Sequence, residues 1–317
     1  MKGFFTLLFC ALFLCTGTYG QILGINKPLF SDQPFFNPDF VRINSIQSIT
    51  GSISTKKVKD IIRTTGNHSH YTFNESGMLN SQLSSKVANG RKDSSITFYE
   101  YNVKGLIDTK RKSEGSGYYS YQYRYDNSNH IIAQTYCRDE NKFGKKTQFE
   151  LKKRYIIKTD SFSYEQFSPE QSKQIFYNHY GKKYKVQINS YESLGYLTEE
   201  YTKFIIGNTK TKVSYEYDKY GRLSKKHFTT NFSAQKKTTE IYSYDEIGNI
   251  LDIKYFDMDI HKSTKQFLYD DKTMLLSAII DQEVASHFLK IIKYDYTFFD
   301  GSTNLTELNR LSITNSQ

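Results

Sequence analysis

Apolar and polar residues alternate along this chain with a period of two, and short turn signals interrupt the alternation at regular intervals. The clearest unit is Tyr215-Glu216-Tyr217-Asp218-Lys219-Tyr220-Gly221-Arg222-Leu223. Tyr215 and Tyr217 are two apart and share one face of a strand. Aromatic residues favour such half-buried pleated surfaces. Asp218 and Gly221 hold the first and fourth positions of a type I turn, where Asp and Gly are preferred. The Asp carboxylate can accept a hydrogen bond from a backbone N–H two residues on. Gly221 can take a positive φ without a Cβ clash and close the hairpin with a bulge. Leu223 then starts the return strand.

Copies of this unit run through the chain. Asn74 with Gly77, Asn102 with Gly105, Asp126 with Asn129, and Asp245 with Gly248 stand in the same turn positions, as do Asn178 with Gly181 and Glu192 with Gly195. A degenerate copy is placed near Tyr155, and Asp270 with Thr273 makes a weaker late one. Most anchors lie 24 to 28 residues apart, but Gly181 and Gly195 are separated by 14. Other turn signals fall half a period away, at Asn89-Gly90, Gly115 to Gly117, Phe143-Gly144, Gly207-Asn208 and Asn231 to Ala234. The unit is therefore about 13 residues, one strand plus one turn. No stretch carries a sustained helical period; Lys57 to Arg63 comes nearest and is short. The pattern predicts an all-β fold, a long antiparallel meander of repeated β-hairpins with about twenty strands, in a single sheet that twists or curls.

Four segments follow. Residues 1–20 read as a signal peptide: Lys2 is the basic start, Phe4 to Cys15 is apolar except for Thr6, and Thr18-Tyr19-Gly20 offers small residues before a cut at Gln21. Residues 21–39 hold Pro28, Pro34 and Pro38, three of the four prolines, and are expected to be an extended lead-in. Residues 40–308 are the hairpin array and 309–317 a C-terminal tail. The expected location is the periplasm, the cell surface or the extracellular space. After cleavage Cys137 is the one cysteine left, so packing and sheet pairing must hold the fold without an intrachain disulfide. No transmembrane helix is expected after signal removal.

Tyr217 to Leu223 resembles the YD repeat of RHS-type bacterial surface and secreted proteins, and Tyr244-Asp245-Glu246-Ile247-Gly248-Asn249-Ile250 is similar. The resemblance extends over about Tyr71 to Leu276. It implies a string of β-hairpins in an exported protein, in a family whose repeats are linked to carbohydrate binding or to shells around a toxin. This chain reads as a short member, too short for a closed shell, and nothing after residue 300 looks like a toxin domain.

Charge and composition add a partner class. The chain has 43 Lys+Arg against 33 Asp+Glu; without Lys2 the difference is 42 − 33, or +9. A basic surface favours polyanions, although these charges are scattered as on a solvated face. There are 27 Tyr and 23 Phe but no Trp. Rings on a sheet can stack on sugars, with neighbouring lysines pairing anions, or can form cross-strand ladders. The candidate binding residues are Tyr215, Tyr217, Tyr242, Tyr244, Lys225 and Lys226. The expected partner is a glycan or anionic surface polymer, or alternatively an envelope protein; nucleic acid is not expected. No catalytic constellation is visible, and Cys137 reads as a small buried hydrophobe. His68 and His70 share a strand face but show no third ligand nearby, and Asp257, Asp259 and His261 alternate three possible ligands on one face but fall half a period after Gly248, where a solvated turn is expected. No metal or cofactor is expected. The reading is a non-catalytic secreted or cell-surface β-repeat protein, with a structural array in an envelope assembly as the alternative and a secreted hydrolase as a weaker one.

Overall fold

The computed structural model describes residues 22–23, 36–88, 91–115, 117–231 and 236–304. The signal segment, most of the lead-in and the C-terminal tail lie outside the described residues. A short helix, α1 (Pro38–Ile43), opens the folded part. Then come β1 (Ile46–Lys56), β2 (Arg63–Phe73), β3 (Leu79–Ala88), β4 (Arg91–Tyr101), β5 (Ile107–Glu114), β6 (Gly117–Tyr125), β7 (Ile131–Asn141), β8 (Leu151–Ser168) and β9 (Gln171–Tyr177). The second half holds β10 (Lys183–Tyr191), β11 (Leu197–Phe204), β12 (Lys210–Tyr217), β13 (Leu223–Asn231), β14 (Lys236–Tyr244), β15 (Ile250–Asp257), β16 (Ile260–Tyr269), β17 (Leu276–Glu283) and β18 (Leu289–Phe298), with a two-residue β19 (Thr303–Asn304) folded back on β18.

Each strand pairs antiparallel with its chain neighbours, and β18 pairs with β1. Ile49 stands opposite Tyr71 on β2 and opposite Tyr296 on β18. The eighteen long strands therefore close into a barrel rather than an open twisted or curled sheet. Twist accumulates from strand to strand, and closure removes the two unpaired edges that an open meander would expose. The closing pairs join segments more than two hundred residues apart, for which a local hydrophobic pattern carries no signal.

Two further expectations are corrected. The place near Tyr155 is no turn; it lies inside β8, an uninterrupted 18-residue strand. The chain is helical, not extended or strand-like, around Phe40. Asn37 caps α1 by accepting hydrogen bonds from the Asp39 and Phe40 amides at 3.1 and 3.5 Å, and Pro38 occupies the first turn, where its missing N–H costs nothing.

The repeated turns share one geometry. The Gly221 amide donates to the Asp218 carbonyl (3.0 Å), and the Asp218 amide donates to the Arg222 carbonyl (2.8 Å). The Asp218 carboxylate accepts from the Tyr220 and Arg222 amides, each at 2.9 Å. Gly221 has φ +75°, and the register slips by one residue beside Tyr217. The same amide-to-carbonyl bond joins Gly77 to Asn74, Gly105 to Asn102, Asn129 to Asp126 and Gly248 to Asp245. The Asn178–Gly181 turn joins β9 to β10, at the rim opposite the Glu192–Gly195 turn between β10 and β11. The 14-residue step in the sequence is thus one strand length, with the signature at both of its ends.

Strand pleating sorts the side chains onto two faces. One face, here the ring face, carries Ile49, Tyr71, Tyr99, Tyr121, Tyr136, Tyr215, Tyr242, Ile253, Phe267, Ile279, Tyr294 and Tyr296, placed by the cross-strand register. The opposite face carries Ser48, Ser85, Thr109, Ser120 and Cys137. Most of the large, deeply buried apolar side chains lie on the first face; the second buries mostly small ones, with Ile96, Arg111, Tyr118 and Ile175 beside them. Side chains converge inside a barrel and diverge outside, and on that ground we assign the ring face, against which Phe36, Phe40 and Val41 pack, as the inner one. Phe36, Phe40 and Val41, from α1 and the segment before it, pack with inner-face residues of β1, β2 and β15 to β18 in one apolar cluster.

Candidate functional site

The six candidate binding residues do not form one patch. Tyr215, Lys226 and Tyr242 lie on the inner face, whereas Lys225 points outward and pairs with Glu216 at 3.1 Å. Tyr217 and Tyr244 have their hydroxyls engaged, donating to the Leu197 and Leu223 carbonyls at 2.8 and 2.6 Å. What does assemble on the inner face is a band of phenols, carboxylates and lysines. Tyr242 donates to the Glu240 carboxylate (2.6 Å), which also accepts from Lys226 (3.4 Å). The Lys265 ammonium reaches the Tyr255 hydroxyl at 3.4 Å. Burial pushes the Tyr215 phenol well up, reinforced by the nearby Glu200 carboxylate, and burial beside Glu240 does the same to Tyr242. These phenols are neutral donors throughout the physiological range.

A second group lies across β6 to β9. Tyr136 stacks on Tyr119 (centroids 5.6 Å apart, planes 15°) and on Tyr121 (4.9 Å, 28°), forming a three-ring platform. Tyr121 is about a third exposed. Lys158 and Asp160 form an ion pair of 2.8 Å, with Lys158 directly opposite Tyr136. Tyr164 stacks on His130 (4.7 Å) and is held by Gln174 at 2.9 Å; burial raises its phenol to about 12. Sequence spacing alone does not bring this platform together. The alternation Tyr119-Ser120-Tyr121-Gln122-Tyr123 marks one strand face, but Tyr136 joins it through strand register.

The outer face is ionic. Glu165 pairs with Lys173 (2.6 Å), Glu199 with Lys212 (2.5 Å) and Glu216 with Lys225. Among the described residues neither face shows a continuous apolar band. His227 bridges β12 to β14, with Nε2 3.0 Å from Glu216 and Nδ1 2.9 Å from the Thr239 hydroxyl. Hydrogen bonds from His227 and Lys225 hold the Glu216 carboxyl below its ordinary value. The order hydroxyl–imidazole–carboxylate resembles a nucleophile relay, which sequence spacing does not reveal because three strands supply it. The strand amides around it belong to the sheet ladder.

Other candidates have ordinary roles. His68 and His70 bond through Nδ1 to Ser85 (2.7 Å) and Thr50 (2.9 Å). Met258 and Asp259 form the tight turn between β15 and β16, both at positive φ, and His261 binds Thr264. No group of three or more potential metal ligands occurs among the described residues. Cys137 is buried, and burial pushes its thiol up.

No family model and no curated protein matches this chain. Among solved structures it is similar to a porin-like protein from Bacteroides uniformis, with a TM-score of 0.38 and 11% identity over 79% of this chain and 97% of that one. A porin-like protein from Bacteroides vulgatus gives 0.28 and 13% over 68% of this chain and 96% of the other. A TcdB2-TccC3-Cdc42 structure gives 0.31 and 14% over 78% of this chain and 13% of that one. At TM-scores this low the likenesses carry nothing further.

Proposed function

We propose that this is a non-catalytic, exported β-barrel protein that binds carbohydrate on its inner, tyrosine-rich face and works in water rather than within a bilayer. The observation that carries the reading is the Tyr119–Tyr136–Tyr121 platform with Lys158 and Asp160 beside it. Flat rings receive the C–H face of a sugar, and nearby charged and amide groups fix its hydroxyls. The resemblance of Tyr217 to Leu223 to YD repeats points the same way, and the export reading rests on residues 1–20. A glycan array on the chain from Gln21 tests the reading. Binding that Tyr121→Ala weakens about tenfold, as the loss of one stacking ring predicts, supports it. A blank array overturns it.

A second reading, an interaction module in an envelope assembly, is favoured by the turn tips. Val103, Leu194, Tyr220 and Ile247 stand exposed along one rim. Closure leaves no long free edge for strand addition, so such a partner would hold this rim. Pull-down with the native chain and a Val103→Ser/Tyr220→Ser variant separates the two readings.

A further inference from the structure

A pocket of about 320 Å³ lies at one rim, between the ends of β6 and β7 and the 142–150 loop. We infer that it is an acidic-sugar subsite, a place for one uronate residue of a polysaccharide; the sugar part of this inference rests on the carbohydrate reading above.

The loop that forms the pocket is held in place from several sides. The Tyr118 hydroxyl donates to the Lys146 carbonyl at 2.7 Å. Asn141 accepts from the Phe143 amide (3.2 Å) and the Glu150 amide (2.9 Å) and donates to the Gln148 carbonyl (2.8 Å). Lys142 pairs with Glu150 across the loop's neck. Phe149 packs edge-on against Tyr118 (4.8 Å) and covers the Arg111 guanidinium at 4.0 Å. A loop tied to the sheet by these bonds supplies a preformed site, which lowers the ordering cost of binding.

The lining is basic. Arg138, Lys145, Lys146 and Lys152 face two carboxylates, Asp139 and Glu140. Asp139 is already neutralised: its side chain is fully buried and receives Arg111 at 2.8 Å and Arg154 at 2.8 and 3.1 Å. Burial alone would raise its carboxyl, but the two arginines outweigh that and hold it below its ordinary value. Glu140 accepts from the Tyr155 hydroxyl at 3.0 Å, with Lys152 4.0 Å away. Among the described residues Arg138 and Lys145 have no carboxylate partner. Phe143, more than a third exposed, adds a ring to this wall. A planar guanidinium, an ammonium and a ring together match a carboxylate carried on a pyranose. The volume is at the small end for ligand pockets, of the size for a single sugar residue and too small for a folded partner.

Titration calorimetry on the chain from Gln21 tests this with three probes: a glucuronate-containing tetrasaccharide, the same tetrasaccharide with its carboxyls reduced, and inorganic phosphate. The acidic sugar is expected to bind about tenfold tighter than the reduced one, the gain of one charge-assisted contact. Arg138→Gln/Lys145→Gln, two rim substitutions outside the barrel's apolar core, should abolish that preference while leaving binding of the reduced sugar unchanged. An equal affinity for the two sugars, a preference that survives the double substitution, or displacement by phosphate at equal concentration overturns the subsite. If the reduced sugar binds in a Tyr121-dependent way without any acidic preference, this inference falls and the inner-face reading stands. If the acidic preference depends on Arg138 and Lys145 while the reduced sugar does not bind, the reverse holds.

Discussion

The Tyr217 hydroxyl donates to the Leu197 carbonyl at 2.8 Å, joining the last residue of β12 to the first of β11. These two strands are connected at the far rim, so the phenol clasps the open mouth of their hairpin. The same bond recurs from Tyr101 to Leu79, Tyr125 to Ile107, Tyr164 to Ile131, Tyr244 to Leu223, Tyr269 to Ile250 and Tyr296 to Leu276. The sequence pattern thereby acquires a physical role. The apolar residue after each turn offers a carbonyl, and a tyrosine at or near the end of the partner strand takes it. The Asp–Gly turns then link one clasped hairpin to the next.

The clasps should matter in proportion to burial. Tyr296 is 2% exposed, whereas Tyr164 is 37% exposed. Tyr296→Phe removes the hydroxyl and leaves the Leu276 carbonyl without that donor, at a cost of about 1–3 kcal/mol. In Tyr164→Phe, water can replace the lost donor, so the change should stay below about 0.5 kcal/mol. Urea unfolding of both variants checks this; equal destabilisation would show that burial does not govern the clasp.

Two turn glycines make a sharper pair. Gly221 and Gly195 have φ of +75° and +84°. A Cβ on Gly195 meets nothing within 4 Å, but one on Gly221 would lie 2.2 Å from the Tyr196 hydroxyl. Gly195→Ala should cost about 1–2 kcal/mol, the penalty of a left-handed L-residue. Gly221→Val carries that penalty and also displaces Tyr196, whose ring packs 5.0 Å from Tyr217. Its loss of thermal stability should therefore be the larger. An unchanged melting temperature in Gly221→Val would contradict the turn geometry.

The hairpins were legible because their determinants are local. Asp218, Gly221 and Leu223 sit within six residues, and alternation sets the faces. The closing pair Ile49–Tyr296 was not legible, since neither residue differs in kind from others on the inner face. The candidate site was legible only in residue type. Tyr215, Lys226 and Tyr242 share the inner face, but one residue of register puts Lys225 outside. The grouping of Tyr136 with Tyr119 and Tyr121, and of His227 with Thr239 and Glu216, arises from pairing between strands that no spacing rule announces.

Acid should loosen the turns at Asp126, Asp218 and Asp270. Burial alone would raise the Asp218 carboxyl, but bonds from the Arg222 amide and guanidinium and the Tyr220 amide hold it below its ordinary value. The Asp126 and Asp270 carboxyls are lowered too, chiefly by the His130 and Thr273 amides. A depressed folded-state value means stability that is complete above the unfolded value and lost as pH falls through the folded one. Melting temperature should thus hold steady above about pH 5 and decline below pH 4. Asp218→Asn keeps the acceptor, as Asn102 does with the Leu106 amide at 3.0 Å, and removes the charge. It should be less stable than native at pH 7, by the share that the charge and its bond to Arg222 supply, and should flatten the acid limb; an unchanged acid limb would remove Asp218 from this account.

The barrel's surface sets its solvent. A lipid-facing barrel needs an outward apolar band, and each lysine or arginine at the bilayer midplane costs about 2–4 kcal/mol. Here the outer face carries Glu165, Lys173, Glu199, Lys212, Glu216 and Lys225 within strands. Turning the barrel inside out would not help, because the inner face carries Lys158, Asp160, Lys226 and Glu240. Lys173, Lys212 and Lys225 on the outer face would oppose insertion, and among the described residues no band of apolar side chains offsets them. The chain from Gln21 should therefore stay monodisperse without detergent and leave planar lipid bilayers non-conducting. Detergent-dependent solubility, or reproducible single-channel steps, would show that the outer ion pairs are buried in an assembly and that this barrel meets lipid after all.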